Sequence, residues 1–304
     1  MLYPDFNDLI ELKERISDLR HASHRSVKSP LPGNRLSPYR GQGLEFDSVR
    51  EYVAGDDIRC IDWRVTARTG APHLKLFREE RERHISICVD MNAAMRFGTR
   101  GTFKSIQAAR VAALLGWQGI DQQDRVGACL FGDVPGGKQF FAPMRTRKAF
   151  CALLKTLAAP PEDQPSRPLE DVLPQIDQAA HAGSLIYLIS DFMHINANFP
   201  HEISLNRLSK RCDVVLIAIN DPADKSIFPF GNVGFCANDQ EKIQVNTKNA
   251  AGREAYALQW EKNRQLLSEA TSKWKIPLIE LTTESDIPRD LMLELKNAAK
   301  RKKR

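Results

Sequence analysis

The run from His84 to Val89, closed by Asp90, is the feature that most limits what this chain can fold into. Its residues are mostly apolar and β-favouring, and small and polar residues follow the carboxylate. A near-continuous apolar run is typical of a strand that is buried on both faces of a parallel sheet. A second run, from Ser184 to Ser190, ends in the same way at Asp191. The two runs therefore predict two strands of one sheet covered by helices.

The two aspartates mark the edge of this sheet where a binding site is expected. Open parallel sheets hold their ligands just beyond the carboxyl ends of the strands. Asp90 and Asp191 each follow such an end. We therefore treat these two carboxylates as the centre of the candidate site.

The rest of the chain alternates between helical and extended patterns. Apolar residues at three- and four-residue steps predict helices at 5–20, 104–118, 147–157, 169–180, 202–211, 250–274 and from about 287. Short apolar runs predict further strands at 125–131, 214–219 and 276–281. A tight hairpin joins 125–131 to 138–142 and predicts one antiparallel edge strand. The alternation predicts an α/β fold with a doubly wound, mostly parallel sheet and a small β insertion at 222–247.

Composition excludes several classes of protein. The chain has 304 residues, of which 42% are hydrophobic and 27% are charged, as in ordinary soluble domains. It contains no apolar run near the roughly 20 residues that a membrane span needs, and its start lacks a signal-peptide pattern. We therefore expect a cytoplasmic protein. Its six cysteines are scattered without a Cys-x-x-Cys pair, which predicts buried, reduced thiols.

The net charge of +6 is concentrated near the two ends of the chain. Residues 20–40, where the pattern predicts a mobile arm, contain five arginines and lysines and no acid, and residues 300–304 supply five more positive charges. Nucleic-acid binding through these basic ends is one interpretation, and a steep salt dependence would be its signature. Solvated tails are the more common outcome for such runs.

A charged block at 43–68 is the most unusual part of the sequence. Acids and arginines alternate there around a few large apolar groups: Glu45, Arg50, Tyr52, Asp56, Asp57, Arg59, Asp62, Trp63 and Arg68. One interpretation is a network of paired charges that fixes an irregular segment, in which case Asp62→Ala or Arg68→Ala would each cost about 3–5 kcal/mol. The other is a recognition surface. The run 74–77 that follows is expected to be a strand pairing with 84–90.

A resemblance to a known fold and family rests on the residues of the charged block and on four further segments. These are the strand to Asp90, Asp124-Arg125-Val126-Gly127, Ser190-Asp191-Phe192 and Asp221-Pro222. The order of elements resembles the von Willebrand factor A-like fold. More specifically, the chain resembles a family of unknown function that is encoded beside MoxR-type AAA+ ATPases in bacteria. The resemblance covers about residues 41–285.

The resemblance also implies a metal-ion-dependent adhesion site, which this chain matches only in part. The pattern is Asp-x-Ser-x-Ser after the first strand, a later threonine, and an aspartate after the fourth strand. Here Asp90 and Asp191 are present, and Asn92 replaces one serine. Ala94 offers no ligand, and Ser166 is the substitute nearest to the threonine position.

The sequence therefore predicts a degenerate site and no cofactor, with Mg²⁺ as the alternative. In the degenerate case Asp90 and Asp191 would accept hydrogen bonds from their own loops, or would pair with Arg96 or Arg167. Serines at positions 92 and 94 would then restore part of a cation response.

The resemblance implies a non-enzymatic protein-interaction module. It would be a partner or adaptor of a MoxR-type AAA+ ATPase in chaperone-like assembly or maturation of other proteins. The alternatives are a metal-dependent hydrolase that uses Asp90 and Asp191, and nucleic-acid binding through the basic ends. The expected domain plan has a helix and arm at 1–40, the charged block at 41–83 packed on the main domain, a von Willebrand factor A-like domain at 84–285, and a helix and tail at 286–304.

Overall fold

The computed structural model describes residues 3–22, 45–78, 83–160, 167–193, 202–236 and 242–301. Most of the predicted basic arm, Ser166 and residues 302–304 of the tail lie outside these ranges. The chain divides into two compact units, one formed by residues 34–82 and the other by residues 1–33 with 83–304.

The elements of the described residues follow the predicted alternation closely. The strands are β1 (Glu45–Glu51), β2 (His73–Arg78), β3 (His84–Met91), β4 (Arg125–Gly132), β5 (Lys138–Met144), β6 (Leu185–Ser190), β7 (Asp213–Asn220), β8 (Asn232–Cys236), β9 (Lys242–Asn246) and β10 (Leu278–Thr282). The helices are α1 (Phe6–Ala22), α2 (Trp63–Thr69), α3 (Lys104–Asp121), α4 (Arg147–Ala158), α5 (Leu169–Ala179), α6 (Glu202–Arg211), α7 (Pro222–Lys225), α8 (Ala250–Lys273) and α9 (Ile287–Arg301). The helices and strands predicted for the main unit are confirmed.

Six strands of the larger unit form one sheet in the order β10-β7-β6-β3-β4-β5. Every neighbouring pair is parallel except β4 and β5, which are antiparallel. This confirms the predicted α/β fold with a mostly parallel sheet and an antiparallel edge strand. The connections run outward in both directions from β3 and β6, so the topological switch point lies between those two strands. Asp90 and Asp191 lie at their carboxyl ends.

Each face of this sheet is covered by its own set of helices. Ile87 and Val89 of β3 point into a core formed with α1, α3, α4 and α9. Cys88, which lies between them, points into the opposite core with α5, α6 and α8. Because both faces are covered, the alternating side chains of β3 are buried on both sides, and the strand reads as a continuous apolar run.

The first and last helices belong to the core of the larger unit. Leu9 of α1 is 1% exposed, and the Trp117 indole donates a hydrogen bond of 2.9 Å to the Leu9 carbonyl. Ile287, Leu291 and Leu295 of α9 are buried in the same core. The sequence placed both helices outside the main domain because amphipathic helices near chain ends give no local sign of what they pack on.

The unit at residues 34–82 corrects two expectations. β2 pairs in antiparallel fashion with β1, so the predicted pairing of 74–77 with 84–90 is wrong. β3 has β4 on one side and β6 on the other, which leaves it no edge for a third strand. The segment is also more regular than expected, because β1, β2 and α2 occupy much of its described part.

Three smaller observations complete the fold. The predicted β insertion is present as α7 followed by the hairpin of β8 and β9. Cys88, Cys129 and Cys212 are buried free thiols, as predicted, while Cys60 and Cys151 are free but only partly buried. None of the described helices combines the length and the apolar character that a membrane crossing needs.

Candidate functional site

Asp90 accepts hydrogen bonds from neutral donors at the carboxyl ends of β3 and β6. The parallel register of β3 and β6 pairs Val89 with Ile189, and Asp90 and Ser190 are the next residue of each strand. The Ser190 hydroxyl donates to Asp90 Oδ2 at 2.6 Å. The backbone N–H and side-chain amide of Asn92 both donate to Asp90 Oδ1, at 2.9 and 2.8 Å. Burial raises the pKa of Asp90 to about 6, and the nearby charge of Asp191 adds to this, while the hydrogen bonds oppose it.

Asn92 links the loop after β3 to the segment that precedes α5. Its Oδ1 accepts from the Arg167 backbone N–H at 3.0 Å, and its Nδ2 donates to the Arg167 carbonyl at 2.9 Å. The end of β4 comes close to the same residue, since a Cβ on Gly132 would lie 2.5 Å from the Asn92 nitrogen. Asn92 is 7% exposed and therefore acts as a buried connector between loops.

Asp191 pairs with a lysine that sequence reasoning missed. Lys104, the first residue of α3, places its Nζ 2.7 Å from Asp191 Oδ2. The other carboxylate oxygen, Oδ1, accepts from the Met193 backbone N–H at 3.1 Å. Asp191 and Lys104 are each 2% exposed, so this is a buried ion pair.

A second carboxylate, that of Asp224, faces the same ammonium group. The Lys104 Nζ lies 3.3 Å from Asp224, which is 5% exposed and belongs to α7. Burial acts to lower the pKa of Lys104, but the charges and hydrogen bonds of Asp191 and Asp224 outweigh it and raise that pKa. The lysine is therefore held in its charged form.

Asp221 and Asp224 form a capping box that begins α7 at the end of β7. Asp224 Oδ2 accepts from the Asp221 backbone N–H at 2.7 Å. Asp221 accepts from the hydroxyls of Thr99 and Thr283, at 2.5 and 2.7 Å. The loops at the ends of β3, β7 and β10 are thus joined through one aspartate.

The carboxyl edge, defined as Asp90, Asn92, Asp191, Lys104 and Asp224, does not fit the metal site that the resemblance implied. The Asn92 oxygen that would replace a serine ligand already accepts the Arg167 N–H. The carboxylate oxygens of Asp191 are taken by an ammonium group and a backbone N–H. Within the described ranges, no group of three or more His, Cys, Asp and Glu residues is arranged to hold a metal ion. Ser166 lies outside those ranges.

The alternative roles predicted for the two aspartates are met in part. Each aspartate accepts a backbone N–H of its own loop, as one alternative stated. The proposed arginine pairing is wrong, because Arg96 forms its ion pair with Asp133. Arg167 contributes its backbone to Asn92.

The charged block is built from local contacts. Arg50 makes two hydrogen bonds to the Asp56 carboxylate, at 2.7 and 2.6 Å, and Asp56 also accepts the Val53 N–H at 2.9 Å. Asp62 caps α2 by accepting the N–H groups of Arg64 and Val65, at 3.0 and 3.2 Å.

The other members of the block hold turns or face solvent. The Asp57 side chain accepts the Arg59 N–H at 3.0 Å, and the Tyr52 N–H donates to the Pro72 carbonyl at 2.8 Å. Arg59, Arg68 and Trp63 are exposed. Glu45 lies in β1 opposite Arg78. In the described part of this segment, Arg50 and Asp56 form a paired-charge clamp, Asp62 Oδ2 lies 3.8 Å from the Lys75 ammonium group, and Arg59 and Arg68 are exposed.

A cavity of about 310 Å³ lies at the opposite end of the sheet from the carboxyl edge. His84 and Ser184, near the starts of β3 and β6, line it together with Phe140, Phe141 and His181. No sequence motif pointed to this cavity, because its lining residues come from four separate stretches of chain.

The family described as "Protein of unknown function DUF58" matches residues 48–266. The chain belongs to this family. Uncharacterized proteins of Mycobacterium tuberculosis and Mycobacterium bovis are 28% identical to it over 297 residues, which span 96% of this chain and 91% of each relative. The family match covers residues 48–68 of the charged block and all of the carboxyl edge.

Solved structures of low sequence identity are also similar in part. The conserved hypothetical protein BatB from Bacteroides thetaiotaomicron is 12% identical, with a TM-score of 0.42, over 72% of this chain and 99% of that chain. The SpRpn10 VWA domain is 13% identical, with a TM-score of 0.44, over 70% of this chain and 94% of that chain. The fold assignment made above rests on the strand order and register of the DUF58 chain itself.

Proposed function

We propose that this DUF58 protein is a non-enzymatic protein-interaction module of the cytoplasm. We further propose that it is a partner or adaptor of a MoxR-type AAA+ ATPase, acting in the chaperone-like assembly or maturation of other proteins. The observation that carries the proposal is the exposure of Trp63, whose exposed fraction is 68%. A large aromatic ring left in water is uncommon, and tryptophan and arginine are enriched among the residues that dominate binding energy at interfaces.

Other exposed side chains of the same segment support this interpretation. Val53 and Ile58 are each 62% exposed. Arg59, Arg64 and Arg68 are also exposed. We call these six side chains, with Trp63 among them, the tryptophan surface. Its mixture of apolar and cationic groups suits a partner surface that presents apolar side chains beside carboxylates.

Hydrogen bonds to two aspartate side chains fix the backbone that carries the tryptophan surface. Asp62 caps the helix that Trp63 begins, and Asp56 joins Arg50 to the Val53 backbone. A preorganised surface loses less conformational entropy when it binds, so more of its contact energy appears as affinity. These contacts favour a binding role for the block beside its structural one.

The carboxyl edge gives no comparable support for the hydrolase alternative. Asp90 and Asp191 are 6% and 2% exposed, and both bond to groups within the fold. A general base or a metal-binding carboxylate must reach the substrate or its water. The basic ends that suggested nucleic-acid binding fall largely outside the described residues.

The test is binding to a purified MoxR-type ATPase from the same genome, measured by calorimetry with ATP, with ADP and without nucleotide. We expect the parent protein to bind and Trp63→Ala to weaken binding by about 30-fold or more, the size expected for a dominant interface residue. Leu258→Ala is the matched control, because Leu258 is 60% exposed on the unrelated helix α8.

Two results would contradict different parts of the proposal. Unchanged affinity in Trp63→Ala, with binding intact in the parent, would exclude the tryptophan surface as the binding site. Lack of binding by the parent protein in every nucleotide state would exclude the ATPase as its partner.

A further inference from the structure

We infer that the carboxyl edge carries its own cation: the Lys104 ammonium group takes the place of a divalent ion, and the edge is ordered without metal. This inference rests on the geometry of the edge and is independent of the proposed function. The carboxylates that face this cation are Asp191 and Asp224, whereas the sequence pattern pointed to Asp90 and Asp191.

The position of Lys104 in its helix is the first argument. The lysine is the first residue of α3, where the partial positive charge of the helix dipole disfavours a cation. The side chain is also buried, which is costly for an ammonium group without partners. Neither local effect favours lysine here, so its place must be explained by the groups it contacts.

Those contacts come from two loops that the ammonium group joins. The Nζ lies 2.7 Å from Asp191 Oδ2, after β6, and 3.3 Å from both Oδ1 and Oδ2 of Asp224, after β7. It also lies 5.6 Å from the centre of the Phe97 ring. A divalent ion in such a site would likewise hold oxygen ligands from separate loops in one place. A tethered ammonium group does this with one charge and no dependence on solution cations.

Arg264 of α8 adds a second positive charge that interacts with Asp191 and Asp224. Its guanidinium donates to the Asp191 carbonyl at 2.6 Å and to the Asn220 side chain. The Asp90 and Asn92 pair meanwhile bonds to Ser190 and Arg167. The cation therefore lies between Asp191 and Asp224, and Asp90 serves to hold its own loop.

The test compares the parent with Lys104→Met and with Lys104→Met/Asp191→Asn/Asp224→Asn. Methionine keeps most of the length of the side chain and removes its charge, which leaves two buried carboxylates uncompensated. We expect Lys104→Met to lower the melting temperature on the order of 10 °C. The triple variant should recover most of that loss, because amides replace both uncompensated charges. A Lys104→Met protein that melts like the parent would overturn the inference, and so would a triple variant no more stable than Lys104→Met.

A second measurement does not depend on whether Lys104→Met folds. The melting temperature of the parent should be the same in EDTA as in millimolar Mg²⁺ or Mn²⁺, and calorimetry should detect no Mn²⁺ binding at those concentrations. Mn²⁺ binding that disappears in Asp191→Asn would show that a metal ion, and not Lys104, compensates this edge. Such a result would overturn the inference.

Discussion

At the scale of single residues, the contacts of the charged block give different structural roles to residues that look alike in the sequence. Asp62 is a helix cap, Asp56 is a clamp for Arg50, and Arg68 is exposed in the last turn of α2. In a buried network, removal of any one partner would lower the free energy of unfolding by a large and similar amount. The observed contacts predict losses that are smaller and that differ between residues.

Asp62→Ala should lower the free energy of unfolding by about 1 kcal/mol, since it removes the side chain that accepts two N–H groups at the start of α2. Arg68→Ala should change it by about 0.5 kcal/mol or less, because the side chain is exposed. Urea denaturation followed by circular dichroism measures both. Asp62→Asn is the control that keeps a capping oxygen. A loss of about 3–5 kcal/mol in either alanine variant would return the block to the buried-network interpretation.

At the scale of elements, the loops after the strands depend on one another. The loop after β3 is joined to the segment before α5 by Asn92, and the loops after β6 and β7 are joined by Lys104. Because the carboxyl ends of parallel strands share one edge, side chains distant in sequence meet there. The effect of a substitution in one loop therefore depends on the side chains that the other loops place beside it.

The double change Asn92→Ser/Ala94→Ser shows this dependence. From the pattern alone it should restore part of a cation response. With the Lys104 ammonium group already bound to Asp191, we now expect the melting temperature to stay the same with and without Mg²⁺. A cation response should need Lys104→Met in addition. Thermal melts in EDTA and in millimolar Mg²⁺ test this, and a clear Mg²⁺ shift in the double variant with Lys104 present would contradict it.

At the scale of the whole molecule, the two units differ in how their sequences are arranged. Residues 34–82 form one continuous unit, while the larger unit takes residues from both sides of it. Helix α1 therefore belongs to a core whose strands begin more than sixty residues later in the chain. The domain plan that set residues 1–40 apart remains a proposal about the arm, but the core helix contained in it has a structural role.

Leu9→Ala should destabilise the larger unit by about 2–5 kcal/mol, because Leu9 is 1% exposed in the main core. Lys13→Ala, on the same helix, is the matched control, since Lys13 is only partly buried and adds one cation–π contact with Trp117. Denaturant unfolding of the full chain measures both changes. A Leu9→Ala protein as stable as the parent would show that α1 is not an integral part of the core.

The sequence by itself determined the sheet and the place of its carboxyl edge. Strands buried on both faces must be continuous apolar runs, so β3 and β6 could be recognised from their residues, and Asp90 and Asp191 were placed at their ends. The hairpin of β4 and β5 was equally local and gave the antiparallel edge. Hydrophobic periodicity is a property of neighbours in the chain, which is why it predicts elements well.

Only the tertiary structure decided which groups meet at that edge. Lys104 reaches Asp191 across 87 positions and Asp224 across 120, and β2 pairs with β1 because β3 has no free edge. The sign that could have been read was a lysine at the start of a largely apolar helix, since a buried cation needs an acid. The sequence could not say which acid, because ion pairing depends on distance in space, and that distance is set by how the sheet brings its strands together.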